Sequence, residues 1–187
     1  MKKQIHIAFV VIALLVGIGI GFSVTPEYAQ MKQEARSPMM ETGKADAYVD
    51  LRFIDGMIAH HKAAIYLARQ AKAQSKRPDV VSLSDTIITV DTKGIESLYA
   101  QKKAWYGNTR EVNQFAKVQL GTADDQFDLR FINALVAHHE EAIQVAGEMQ
   151  KKSVRNDVLN LAGSVVTDLT AGIKTLESWR TLWYGIN

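Results

Sequence analysis

The chain contains no cysteine, which excludes disulfides, thiolate metal sites and Cys nucleophiles. It carries little net charge: 22 Lys and Arg stand against 20 Asp and Glu, a formal +2 with neutral His. So small a value gives no reason to expect a nucleic-acid partner. The charges are interleaved rather than blocked, as on a solvated surface. Stretches alternating with period two are scarce, so no sheet is expected. Nothing resembles the nucleophile turn of a Ser-His-Asp hydrolase. Histidine is scarce as well, with five in 187 residues, yet four of the five fall in two doublets.

Those doublets belong to an internal repeat. Asp50-Leu51-Arg52-Phe53-Ile54 runs on to Ala59-His60-His61, and Asp128-Leu129-Arg130-Phe131-Ile132 runs on to Ala137-His138-His139, an offset of 78 residues. Trp105-Tyr106-Gly107 returns as Trp183-Tyr184-Gly185 at the same offset. A length of 187 residues suits one domain, here built of two copies.

At the N-terminus, Lys2 and Lys3 precede Ile5 to Val24, a run with no acid or base apart from His6. A run of roughly 20 such residues can cross a bilayer as a helix. A cleaved secretory signal is the alternative. Glu27-Tyr28-Ala29 is a poor cleavage site and Pro26 spoils Ser23-Val24-Thr25, which favours an uncleaved membrane anchor over residues 1–24. Either reading places the remainder on the extracytoplasmic, periplasmic side. Gly17 and Gly21 have the small-residue spacing of helix pairing, which here reads first as generic small residues.

Residues 25–43 read as a linker, with Pro26, Pro38, Gly43 and no clear period. Met31, Met39 and Met40 lie in it, and they read as linker residues before they read as soft ligands. Residues 44–187 then carry four segments with helical period, at about 45–74, 79–106, 123–152 and 156–184. Repeat one spans 45–107 and repeat two 123–185. Pro78 suits a first helical turn. Thr122 with Asp125 resembles a capping box. Gly107 and Gly185 stand where helices stop. Short joins within each repeat make antiparallel neighbours, and residues 108–121 form a longer crossover. The expected fold is all-α: a four-helix bundle of two helical hairpins.

Positions three and four apart share a helix face. Phe53, Met57, His60, Ala64 and Leu67 form one apolar stripe, and Ile54, Ile58, His61, Ile65 and Ala68 the next. Phe131, Leu135, His138, Ala142 and Val145 repeat the first stripe in copy two. Both doublets therefore flank the buried side, while Arg52, Asp55, Lys62 and Arg69 face away. Adjacent His differ by about 100° around the axis and do not easily share one metal. One His of each doublet can instead meet its counterpart across the bundle, and neutral imidazole suits Zn, Cu, Fe or Ni. Asp91 and Asp168 fall on or near the inner stripes of the second and fourth segments, as orienters or co-ligands. Met57 stands three before His60, a pairing suited to Cu(I), and copy two has Leu135 there. Buried His that simply bond a neighbouring Asp, Thr or carbonyl are the competing reading.

The string Phe53-Ile54-Asp55-Gly56-Met57-Ile58-Ala59-His60-His61-Lys62-Ala63-Ala64-Ile65 resembles the signature of domain of unknown function family 305, roughly F-I-x-x-M-I-P-H-H-x-x-A-I. The likeness covers residues 45–186 in two copies. It implies a ferritin-like four-helix bundle, export, and in some members periplasmic copper binding. Ala59 and Ala137 stand where the family has Pro. Asp91, Gly94 and Leu98 stand for its Gln, Glu and Met, and Leu169, Gly172 and Leu176 occupy those places in copy two.

The reading that follows is an extracytoplasmic metal-binding bundle for sequestration or transfer, not an enzyme. Its ligands are His60, His61, His138 and His139, with Met57, Asp91 and Asp168 as helpers, and copper comes before zinc. The alternative is a metal-free, membrane-anchored scaffold for a second copy or a protein partner. A ferritin-like redox enzyme ranks lower. The di-iron version needs Glu three residues before the metal-binding His, and Met57, Ile58, Leu135 and Val136 stand there.

Overall fold

The computed structural model describes residues 26–37 and 40–186. The anchor or signal expected at 1–24, and Met39 with it, lie outside them. Among the described residues there are five helices and no strand: α1 Pro26–Ala35, α2 Val49–Gln74, α3 Pro78–Tyr106, α4 Phe127–Lys152 and α5 Asn156–Tyr184. None of these is long and apolar enough to cross a membrane.

The four long helices form two antiparallel hairpins, α2 with α3 and α4 with α5. Each join is three residues, 75–77 and 153–155. Both joins use one device: the Ser75 hydroxyl accepts the Arg77 N–H at 3.1 Å, and the Ser153 hydroxyl accepts the Arg155 N–H at 3.1 Å. This fixes the turn before Pro78 opens α3. Gly107 and Gly185 end α3 and α5 in the left-handed region, with φ of 59° and 65°, where a Cβ is disfavoured.

The hairpins meet along α2 and α4. These two helices run antiparallel. The start of α2 lies beside the end of α4 through Asp50 and Arg155, and the start of α4 lies beside the end of α2 through Asp128 and Arg77. A pseudo-two-fold axis therefore passes between their midpoints, where His60 and His138 stand. Phe53, Ile54, Met57, Phe131, Ile132 and Leu135 are buried around it. Each such side chain is worth about 1.5–3 kcal/mol of burial. Ala59 and Ala137 leave α2 and α4 continuous through the doublets. A mid-helix Pro would remove a backbone hydrogen bond and kink the helix.

The repeated sequence blocks fasten the halves to each other. Arg77 stacks over Trp183, 4.3 Å from the ring centroid, and reaches Asp128 at 3.3 Å. Arg155 stacks over Trp105 at 4.4 Å and reaches Asp50 at 3.6 Å. Each clamp joins a residue of one repeat to two of the other.

The connecting segments are also fastened. Lys62 donates to the Val112 carbonyl at 2.6 Å, and Gln70 holds both the Val118 carbonyl and the Leu120 N–H at 2.9 Å. Arg52 and Arg130, equivalent across the repeat, each grip the chain that leads into their own helix through two carbonyls.

Three expectations need correction. The supposed linker at 25–43 contains α1, which packs on α4. Tyr28 and Met40 are buried in the core and Met31 packs against it. The capping box is absent: α4 begins at Phe127 after Gln126, without a side-chain cap. The Thr122 hydroxyl instead meets Asp124, which also accepts the Gln126 N–H at 3.0 Å. Finally, Asp55 does not simply face solvent. It pairs at 2.7 Å with Lys102, whose side chain is 1% exposed. The Lys102 ammonium also donates to the Arg110 carbonyl at 2.7 Å.

Candidate metal centre

The four doublet histidines form a row across the interior. His60 and His138 stack face to face on the pseudo-two-fold axis, with ring centroids 3.7 Å apart and planes 4° from parallel. His61 lies beyond His60 at 5.9 Å, and His139 beyond His138 at 6.1 Å. The first His of each doublet faces the opposite hairpin, as the His60–His138 stack shows. The second points toward its own hairpin's outer helix, His61 toward α3 and His139 toward α5.

Gly94 on α3 lies directly over His61: a Cβ there would sit 3.0 Å from Nε2. Gly172 on α5 lies over His139 in the same way, at 3.3 Å. These two glycines provide room for the imidazoles. Asp91 Oδ1 is 3.0 Å from His61 Nδ1, but off the axis of the ring N–H, so the contact is not an aligned hydrogen bond. The equivalent position in repeat two is Leu169, which packs into the core.

The environment disfavours charge on the imidazoles. Burial pushes His60 and His138 well below the ordinary histidine pKa, and the neighbouring imidazoles push further in the same direction. Burial alone takes His139 down to about 4. These rings are therefore neutral at pH 7, the state in which imidazole binds metals. His60 Nδ1, His61 Nδ1, His138 Nε2 and His139 Nδ1 are buried without an aligned hydrogen-bond partner.

Of the other expected site residues, Met57 is buried in the core one helical turn before His60. Asp168 is not part of the row. It is exposed on α5, one residue from Leu169, and one residue is about 100° of helix rotation. Among the described residues no group of three or more His, Asp or Glu converges as a metal cage. Imidazole lone pairs lie in the ring plane, so the stacked pair must turn before both rings can face one ion. What the site offers is three neutral imidazoles, His60, His138 and His139, with Met57 one helical turn from His60, donors that suit a soft, low-coordinate ion better than the four-ligand cage of structural zinc.

Sequence reasoning missed the buried Lys102. Its equivalent in repeat two is Arg180, also buried. The signal available was their shared place in the 78-residue repeat.

A bundle of duplicated helical hairpins with a buried imidazole row defines the class. The chain belongs to the family described as Domain of unknown function (DUF305), which matches residues 24–101, 50–122 and 107–180. Solved structures of CopM have a similar fold. The silver-bound form obtained by co-crystallisation is 27% identical, with a TM-score of 0.65, covering 72% of this chain and 97% of that one. The Cu(I)-bound form is 27% identical at a TM-score of 0.64, with coverage of 72% and 97%. The apo form is 27% identical at 0.64, with coverage of 72% and 98%. No curated protein matches the chain.

Proposed function

We propose that this chain is a metal-binding helical bundle that takes a soft ion, copper first, at its imidazole row. Its role is sequestration or transfer, without bond-making chemistry. The observation that carries this reading is the four buried imidazole nitrogens with no aligned partner. A buried polar atom left unpaired costs about 1–3 kcal/mol, and a bound ion would relieve several at once. His60, His61, His138 and His139 would hold the ion, with the Met57 thioether as a helper that favours Cu(I). The likeness to CopM solved with Cu(I) and with silver supports the same class of ion. Zinc ranks second, because no closed cage is assembled among the described residues. The apolar run at residues 5–24 behind Lys2 and Lys3 supports an extracytoplasmic bundle, tethered or released.

A second reading is a metal-free scaffold. Gly94 and Gly172 favour it, since they give close packing over the rings.

One experiment separates the two. The full chain, purified metal-free in mild detergent, is melted alone and with Cu(I), Cu(II) or Zn(II). The same is done for the variant with His60, His61, His138 and His139 all replaced by Gln. Binding to the folded state raises the melting temperature by mass action. A rise in wild type that disappears in the variant is expected, largest with Cu(I). No rise with any metal, and a variant at least as stable, would refute the metal reading and leave the scaffold.

A further inference from the structure

The duplication relates the two ends of the bundle, and their outer surfaces differ. At one end α5 finishes beside the α2–α3 join, where Arg77 stacks on Trp183. At the other α3 finishes beside the α4–α5 join, where Arg155 stacks on Trp105. These clamp residues match. Around them, repeat two has Trp179, Leu182 and Ile186 where repeat one has Gln101, Ala104 and Asn108. Repeat one therefore ends its helix without large apolar groups at these places. Leu182 is 78% exposed. Trp179 stacks on Trp183 with ring centroids 5.0 Å apart, and both are only partly buried. Trp179, Leu182 and Trp183 share one helix face. The Thr181 hydroxyl donates to the Ile186 carbonyl at 3.1 Å, which folds the residues after α5 back against its last turn. The result is an apolar rim at one end of the bundle.

The course of the chain indicates what covers this rim. Segment 26–43 runs along α4 toward its C-terminus: Lys32 meets Glu140, Ser37 meets Glu141, Thr42 meets Glu148 and Gly43 meets Lys152. Its start therefore points to the end where α5 finishes. Tyr28 and Met31 belong to the same apolar cluster as Leu176, Trp179 and Trp183. Val24 closes the apolar run 5–24 and stands two residues before Pro26, a reach of at most about 7 Å. A bilayer holding that run would lie against this end. Trp is favoured at the headgroup level, where its ring meets lipid and its N–H meets water. The nearby charges are paired, Arg77 with Asp128 and Arg130 with Asp124, so the seat is apolar rather than a basic patch for anionic lipid.

Resting on the tethered reading above, we propose that the α5 end of the bundle is a lipid-docking surface. Trp179, Leu182 and Ile186 seat in the headgroup region of the bilayer that holds the N-terminal run, and the opposite end points away. That opposite end has exposed apolar side chains of its own, Tyr48 at 60% and Val154 at 95%, but the N-terminal run does not lead to it.

The test uses the full chain in phosphatidylcholine vesicles whose acyl chains carry bromine near the headgroup, which quenches Trp emission. The chain has three Trp, and Phe at two of them leaves one reporter. Trp179 alone, with Trp105→Phe and Trp183→Phe, should lose most of its emission relative to unbrominated vesicles. Trp105 alone, with Trp179→Phe and Trp183→Phe, should keep its emission. A further variant takes repeat one's residues, Trp179→Gln, Leu182→Ala and Ile186→Asn, together with Trp105→Phe. It should keep its helical circular dichroism and float with the vesicles on its N-terminal run. Quenching of its Trp183 should fall well below that in Trp105→Phe with Trp179→Phe. Tyr48→Ser with Val154→Ser should leave the quenching of Trp179 unchanged.

Equal quenching of Trp179 and Trp105, or stronger quenching of Trp105, would overturn the docking while leaving the tether intact. So would undiminished Trp183 quenching in the exchanged variant. A wild-type chain that does not float with vesicles would overturn both.

Discussion

His60 and His138 come from different repeats, yet their rings lie 3.7 Å apart and 4° from parallel in the middle of the core. Two protonated imidazoles could not hold that arrangement in an apolar interior. The sign of the resulting pH dependence follows from the lowered pKa values. A group whose folded pKa is depressed binds its proton more readily in the unfolded chain. Stability is then complete above the unfolded value of 6.5 and falls as pH drops below it. For His139 the window runs from 6.5 down to about 4, corresponding to on the order of 3 kcal/mol for that ring. His60 and His138 act in the same direction. Urea unfolding between pH 7.5 and pH 4 should show metal-free wild type losing stability more steeply than the variant with all four doublet His changed to Gln. Superimposable profiles would contradict the neutral, buried state of His60, His138 and His139.

The Arg clamps give a second prediction. Arg77 bridges Asp128 and Trp183, and Arg155 bridges Asp50 and Trp105. The guanidinium groups are partly exposed, so each ion pair alone is worth about 0–1 kcal/mol. Stacking on Trp adds about 0.5–1 kcal/mol or more. Arg77→Ala and Arg155→Ala should each cost about 1–2 kcal/mol and add nearly independently, because they sit at opposite ends of the bundle. A double-mutant cycle of Arg77→Ala with Trp183→Phe should show coupling. Full additivity in that cycle would mean the stack contributes nothing.

The duplication made much of this fold legible before any coordinates. The 78-residue offset fixed four helical segments, two short joins and the meeting of one His from each doublet. Three features were hidden for physical reasons. The α1 helix was missed because its apolar residues are few and lack a helical stripe. Its stability comes from Tyr28 entering a core built by distant residues. Lys102 went unremarked, since burial of a lysine depends on a partner from another helix, here Asp55. Asp168 was placed near the inner stripe by its spacing to Leu161, Val165 and Gly172, but it is exposed on α5. A residue at the border of a helical stripe is about 100° per position from its neighbours, so spacing alone does not decide whether it faces the core or solvent.

The buried pair Lys102–Asp55 makes a third prediction. Its 2.7 Å contact lies under a lysine that is 1% exposed, while Asp55 is 23% exposed. Removing one partner strands a charge, at a cost of about 3–5 kcal/mol in a closed interior and less where water reaches the other group. Lys102→Met should therefore destabilise by about 2–4 kcal/mol and loosen the crossover held through the Arg110 carbonyl. Replacing both groups, Asp55→Leu with Lys102→Met, should recover most of that loss. Hydrogen exchange at residues 108–112 reports the loosening. Unchanged exchange in Lys102→Met would mean the ammonium does not anchor this segment.

The last prediction sets two glycines against each other. Alanine is a better helix former than glycine by about 1 kcal/mol, so at an open helical position the change should stabilise. Gly94 and Gly172 are not open. The new methyl group would meet His61 Nε2 at 3.0 Å in one case and His139 Nε2 at 3.3 Å in the other. The tighter contact forces the His61 ring to move, and that ring also faces Asp91. The looser contact asks for a shift of a few tenths of an ångström. Gly94→Ala should therefore lose the helix-propensity gain and displace the His61 resonances, while Gly172→Ala should keep part of the gain with a smaller change at His139. Gly147 has nothing within 4 Å of its Cβ position, so Gly147→Ala serves as the reference for the full gain. Thermal melts of the three variants, with imidazole spectra of each, make the comparison. Equal stabilisation by all three would show that the space under Gly94 and Gly172 is not needed by the imidazoles.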